Sequence, residues 1–271
     1  MSKLTKEQVK LHRRACEYLQ KDVLNYTERL FVIENWHEGA EHNNTPAGAF
    51  FTPFNLARDF TIEVNGSNII DLCAGIGALA FAVFNASPWG NRPAMTCVEI
   101  NPAYVAVGRK VLPEATWIVG DVLSLPSTLT GFDFAISNPP FGRIRQTGQS
   151  PRYKGSEFEY KVIDVASDLA EFGVFILPQS SAPFRYSGRP HYEPCLSEKY
   201  QGFSDATGIE LNCNCGIDTS VHLKDWRQVS VSTEIVCVDF PRRTVEHQTA
   251  SEGWEQASLF PFSPQPVLEY A

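Results

Sequence analysis

From about residue 67 to residue 240, short apolar runs rich in β-branched residues alternate with segments whose apolar positions recur at helical spacing. Uninterrupted apolar runs of strand length read as buried strands, and the amphipathic stretches between them as crossover helices. A chain with that alternation closes into a mostly parallel sheet covered by helices, because each crossover returns a strand alongside its predecessor. The pattern predicts strands over 68–73, 94–100, 116–120, 132–137 and 173–177 and helices over 78–85, 102–111 and 156–171. Two further strands, 209–215 and 233–240, lie close enough along the chain to pair antiparallel.

Outside this region the pattern changes. Residues 5–36 place Val9, Cys16, Leu19, Val23, Leu24, Leu30 and Phe31 at helical spacing among Lys, Arg and Glu, which predicts one or two amphipathic helices. Residues 37–48 read as a loop in which His37 and His42 have no catalytic part. The expected organisation is an N-terminal helical extension (1–48), an α/β domain (49–240) and an extended tail (241–271) carrying Pro241, Pro261, Pro264 and Pro266. The seven cysteines form no disulfide framework and read as small hydrophobes in a reducing cytoplasm, Cys213 and Cys215 among them as buried thiols. No apolar run is long enough to span a membrane. A net charge of −8 argues against a protein that coats nucleic acid without specificity.

Two motifs fall where such a sheet would bind a ligand, outside the carboxyl ends of its strands. The first is Asp71-Leu72-Cys73-Ala74-Gly75-Ile76-Gly77, whose glycines allow a sharp strand-to-helix turn and close approach to the backbone. Glu99 ends the second strand and Asp121 follows the third. The glycine spacing also satisfies a relaxed dinucleotide fingerprint, with Glu99 as a ribose acid. Asp71, however, precedes the glycines and suits an ammonium group, which a pyrophosphate would not supply. The second motif is Asn138-Pro139-Pro140-Phe141, at the end of the apolar run 132–137. Its prolines lack N–H groups, its carbonyls and the Asn138 amide are acceptors, and Phe141 offers a flat apolar face. Together they form a cradle for a planar amine.

The order Phe50-Phe51-Thr52-Pro53, DLCAGIG, Glu99, Gly120-Asp121 and NPPF resembles amino-group methyltransferases that use S-adenosylmethionine, and within them it is most similar to the DNA N6-adenine methyltransferases. The resemblance covers residues 50–178. It implies a class I methyltransferase fold, Rossmann-like, with seven strands of which the last is antiparallel. The implied cofactor set is Phe51, Thr52, Pro53, Asp71, Cys73, Gly75, Gly77, Glu99, Ile100, Asp121, Val122 and Asn138. Thr52, Pro53 and Phe51 would close over the methionine end, Asp71 and Gly75 would meet its amino and carboxylate groups, Glu99 the ribose, and Asp121 with Val122 the adenine. Asn138, Pro139, Pro140 and Phe141 would hold the target, as catalytic residues, with the base flipped out of the duplex. A second stacking aromatic would be Phe184 or Trp226, each of which reads first as packing.

Residues 142–155 carry Arg143, Arg145, Arg152 and Lys154 and no acid, and beside the NPPF cradle they are expected to meet phosphates. Little chain remains for a separate recognition domain, so recognition would fall to loops 142–155 and 179–203 and the N-terminal helices, and its sequence would be short or relaxed. In the tail, Gln256-Ala257-Ser258-Leu259-Phe260 resembles the peptide that docks on the bacterial sliding clamp through Gln256, Leu259 and Phe260; the other reading is a segment packing back on its own domain. The leading expectation is a DNA N6-adenine methyltransferase. RNA adenine or guanine and protein glutamine are the alternative acceptors, and a non-catalytic, anti-restriction or DNA-occupying protein is the alternative of another class.

Overall fold

The computed structural model describes residues 4–37, 50–87, 90–141, 144, 148–226 and 231–241. All fall within one unit, Met1–Pro241. The second unit, Arg242–Ala271, lies outside the described residues, and with it the tail motif of Gln256, Leu259 and Phe260.

The chain begins with α1 (Lys6–Leu19) and α2 (Tyr26–Asn35), each opened by a capping box, Thr5 with Gln8 and Asn25 with Glu28. In each box the two residues satisfy one another's backbone N–H, which fixes where the helix starts. Both helices share an apolar core with the sheet through Ala15, Leu24, Val32, Ile33 and Trp36. Arg29 anchors α2 through both oxygens of Glu114, at 2.8 and 2.9 Å. His37, expected in a loop, is buried, and its backbone N–H donates to His12 Nδ1 at 3.0 Å. No helix among the described residues is long and apolar enough to cross a membrane.

A short helix, α3 (Phe54–Phe60), leads to β1 (Asn68–Leu72), α4 (Ala78–Ala86), β2 (Ala94–Glu99), α5 (Pro102–Val111), β3 (Thr116–Val119) and β4 (Phe132–Ser137). There follow α6 (Phe158–Ala166), β5 (Ala170–Pro178), a small hairpin of β6 (Phe184–Arg185) and β7 (Glu193–Pro194), α7 (Glu198–Thr207), β8 (Asn212–Cys213) and β9 (Thr233–Asp239). The seven-stranded sheet has the order β3-β2-β1-β4-β5-β9-β8. The first five strands are parallel, and β9 runs antiparallel to both β5 and β8. Strand order reverses between β1 and β4, and at such a switch point the diverging crossovers leave a crevice. Both candidate motifs follow those two strands.

Alternation divides the core into two layers. Ile69, Cys97, Ile136, Val174, Ile176 and Ile235 face the cluster that contains α1 to α5. Ile70, Leu72, Val98, Phe175, Leu177 and Val236 face the cluster of α6 and α7. Asp71, in phase with Ile69, therefore points towards α4. On the same side α5 lies so close to β3 that a Cβ at Gly108 would stand 2.2 Å from Trp117 Cη2. The indole is itself held by a bond from Nε1 to the Leu112 carbonyl at 3.1 Å. Gly108→Ala should consequently lower unfolding free energy by about 1–3 kcal/mol in urea, since the clash outweighs the helix-propensity gain of about 1 kcal/mol. An unchanged or raised midpoint would show that the indole can move aside.

Several boundaries differ from expectation. The helix predicted to reach residue 171 stops at Ala166, where Ser167 caps it, and the chain turns at once into the longer β5. The strand expected over 209–215 pairs only at Asn212–Cys213. Asn214 turns its side chain to the Ile235 carbonyl at 2.9 Å and accepts from Gly216 and Ile217, which ends the ladder. Cys213 and Cys215 are therefore exposed on an edge and are not buried thiols; Cys97, in a central strand, is buried. Helix α7 and the hairpin had no counterpart in the expected elements.

Candidate functional site

The turn after β1 uses left-handed backbone three times, at Cys73 (φ 63°), Gly75 (φ 57°) and Gly77 (φ 89°). Glycine meets this at little cost, whereas Cys73 carries strain of about 1–3 kcal/mol, of the kind found where a loop is shaped for a ligand. Gly77 is also the N-cap of α4, so no side-chain cap occupies the start of that helix, where N–H groups favour an anion. A Cβ on Gly75 would stand 3.1 Å from Phe51 Cδ1, so the Phe51 ring lies directly on the glycine turn. Trp36 and Tyr104 hold that ring in place, with centroids 5.7 and 5.1 Å away.

Beneath the turn Asp71 is fully buried, and neither carboxylate oxygen makes a hydrogen bond. Burial pushes its carboxyl well above the usual range, with a smaller upward push from Glu99 and a pull the other way from the Ala80 N–H in the first turn of α4. Glu99 accepts from the Gly75 and Asn101 N–H groups at 2.8 Å each. Burial raises it too, against the opposing pull of the Asn101, Gly75 and Ile100 N–H groups. Each Glu99 oxygen keeps a second lone-pair direction for a hydroxyl. Next to it Ile100 exposes 64% of its surface, an apolar face at the strand end. Asp121 Oδ1 caps the turn that follows β3, accepting from Leu123 N–H at 2.9 Å, with Val122 buried behind it.

At the end of β4, Asn138 Nδ2 donates to the Phe50 carbonyl at 3.2 Å and to Thr52 Oγ1 at 2.9 Å. A backbone carbonyl can only accept, so chemistry assigns the amide orientation. Asn138 Oδ1 is then the atom turned away, buried and without a hydrogen-bond partner. Pro139 is buried and Phe141 half-buried, packed on the same apolar cluster as Phe50 and Phe51. Phe51, Thr52, Asp71, Cys73, Gly75 and Asn138 line a single cavity together with Phe50, Ala74, Ile76, Ala78 and Leu79. Two buried, unpaired acceptors from different strands thus share one space. Pro53 lines an adjoining cavity with Phe51, Thr52, Glu34, Asn55 and Asp225. The Phe50 carbonyl and the rings of Trp36 and Tyr104 were given no role by the sequence, since none of them falls in a motif.

Two cations of the basic loop have partners within the chain. Arg152 is committed to α6: its Nε meets Asp164 Oδ1 at 2.6 Å, and Nη2 reaches Asp168 Oδ1 at 2.8 Å and Ser167 Oγ at 2.9 Å. Lys154 Nζ donates to the Ser150 and Pro151 carbonyls at 2.7 and 3.1 Å. These contacts take up Arg152 and Lys154, two of the four cations expected to meet phosphate. Arg143 and Arg145 lie outside the described residues. Phe184 and Trp226 are buried in the core, as their packing reading had it.

Residues 55–151 match the family model of the Methyltransferase small domain. A search of curated proteins finds no match. Among solved structures, the type I restriction-modification system methyltransferase subunit from Streptococcus thermophilus is similar, with a TM-score of 0.56 and 16% identity over 80% of this chain and 49% of its own. The chain therefore spans about half the length of that protein. A class I S-adenosylmethionine-dependent methyltransferase structure from Listeria monocytogenes has a TM-score of 0.56 and 14% identity, covering 86% of this chain and 73% of its own. The strand order, the single antiparallel strand and these likenesses agree: the chain has the class I methyltransferase fold, whose cofactor is S-adenosylmethionine, and the unpaired Asp71 carboxylate, the α4 N-terminus without a side-chain cap and the Glu99–Ile100 strand end fit that cofactor.

Proposed function

We propose that the chain transfers a methyl group from S-adenosylmethionine to the N6 amine of adenine in DNA, with short or relaxed sequence recognition. The observation that carries this reading is the unpaired Asn138 Oδ1, an acceptor held in the same cavity as the unpaired carboxylate of Asp71. A buried acceptor without a partner costs free energy, about 1–3 kcal/mol for a neutral group, and a bound N–H donor relieves it. Asp71 suits the ammonium of the cofactor's methionine end, the α4 N-terminus its carboxylate, and Glu99 its ribose hydroxyls. When bound, the sulfonium supplies an already activated methyl group.

Asn138 Oδ1 and the Pro139 carbonyl would then accept the two N–H bonds of the target amine. The lone pair of an adenine amine is delocalised into the ring, so the planar nitrogen is a weak nucleophile. Two acceptors that draw the N–H bonds to one side favour the pyramidal nitrogen formed as attack begins, and so bind the transition state more tightly than the ground state. Phe50 and Thr52 keep the amide from turning, which makes the acceptor preorganised. In a duplex the base would leave the stack, and Phe141 would replace part of the lost stacking. A restriction-modification methyltransferase subunit shares this fold, which goes with a DNA acceptor.

A tritium-transfer assay across genomic DNA, ribosomal RNA and a glutamine-bearing release-factor protein tests the assignment. Label should enter DNA and be recovered as N6-methyladenine. Label confined to RNA or protein would replace the acceptor, and label in none of the three would defeat the reading.

A further inference from the structure

The basic loop after NPPF has its described cations tied up, yet the same edge of the sheet carries another set. From Phe172 to Tyr192 the chain contains no acidic residue, while Arg185, Arg189 and His191 fall within eight positions of one another. In a protein of net charge −8, Arg185 and Arg189 stand out as two permanent cations close together. The stretch leads into the β6–β7 hairpin, whose second strand opens with Glu193, opposite Arg185 and 3.9 Å from His191 Nε2. It leaves the carboxyl end of β5, next to β4, and is tied to the start of α6, where Ser181 Oγ donates to Glu159 Oε1 at 2.8 Å and Tyr160 donates to the Ser181 carbonyl at 2.7 Å. The hairpin therefore stands on the rim that holds NPPF.

Its base is rigid. Glu234, fully buried at the second position of β9, accepts from Gln179 Nε2 at 2.7 Å, Tyr186 N–H at 2.9 Å, Ser187 N–H at 3.0 Å and Ser187 Oγ at 2.8 Å. A buried carboxylate with that many donors holds the loop in one shape. Its outward side is the reverse of buried. Arg185 and Arg189 are exposed and make no side-chain hydrogen bond or ion pair among the described residues. Tyr192 is 45% exposed and leans on the Phe184 ring at 5.4 Å. Loosely held cations beside an exposed aromatic ring, on a platform fixed from below, match a phosphate backbone with a base to stack.

We propose that the β6–β7 hairpin is the main nucleic-acid docking surface, with Arg185 and Arg189 on phosphates and Tyr192 against a base. This rests on the nucleic-acid reading above and puts Arg185 and Arg189 in the part expected of Arg152 and Lys154. The test is the full-length Arg185→Glu/Arg189→Glu variant, assayed with a short adenine-containing DNA duplex over a range of salt. The KM for DNA should rise about five- to thirtyfold, the slope of log affinity against log salt should fall by about two, and cofactor affinity and turnover at saturating DNA should hold. The Arg185→Lys/Arg189→Lys variant should restore most of the affinity, which a merely folding defect would not allow. If the wild type methylates DNA and the Glu variant keeps its KM and salt slope, the hairpin assignment is wrong and the function stands. If the wild type methylates no nucleic acid, both fall.

Discussion

Asn138→Ala should remove methyl transfer, by at least about a hundredfold in turnover, while cofactor affinity stays within the scatter of the wild type. The side chain acts on the acceptor amine, and its oxygen is the unpaired atom that faces the cavity. Thr52→Val should fall between the two, because it removes one of the two acceptors that fix the amide and leaves the Phe50 carbonyl at 3.2 Å in place. Asn138→Asp is the sharper comparison. It keeps an oxygen towards the cavity but sets the other against the Phe50 carbonyl, two acceptors facing each other, so the 50–52 segment should loosen and activity should still be lost. Single-turnover rates with saturating cofactor, alongside calorimetric titration of the cofactor, separate these cases. Full turnover in Asn138→Ala would mean that the acceptor is elsewhere.

Asp71→Asn should cost about two orders of magnitude or more in cofactor affinity, because an ammonium group would then be buried without its counter-charge. The same change should stabilise the ligand-free protein at neutral pH. Burial raises the Asp71 carboxyl well above its ordinary value, so the folded state holds that proton more tightly than the unfolded chain does. The sign follows: stability from this group is full below the unfolded value near 4, falls as pH climbs towards the raised native value, and stays low beyond it. The wild type should therefore melt lower at pH 8 than near pH 5, and the gap between wild type and Asp71→Asn should be widest at the alkaline end. Adding cofactor should reverse the order, since ligand at a hundred times its dissociation constant adds about 2.7 kcal/mol to the wild type alone. Equal cofactor binding by the two proteins would remove Asp71 from the site.

What the chain order alone determined is the frame. Alternating apolar and amphipathic segments specify five parallel strands with crossover helices, because a one-residue slip in any strand would exchange its buried and exposed faces. Glycines after β1 and prolines after β4 are legible for the same reason: backbone conformation and missing donors are properties of the residue itself. Tertiary contacts decided the rest. The amide of Asn138 is oriented by Phe50 and Thr52, 88 and 86 residues away, and no local pattern carries that information. Arg152 reads as a free cation until α6 brings Asp164 and Asp168 beside it. The hairpin strands are two residues long each, too short for a periodic signal, and their shape comes from Glu234 in a distant strand. Charges and hydrogen bonds act across space, so which basic groups remain available for a partner was settled only once the chain had folded.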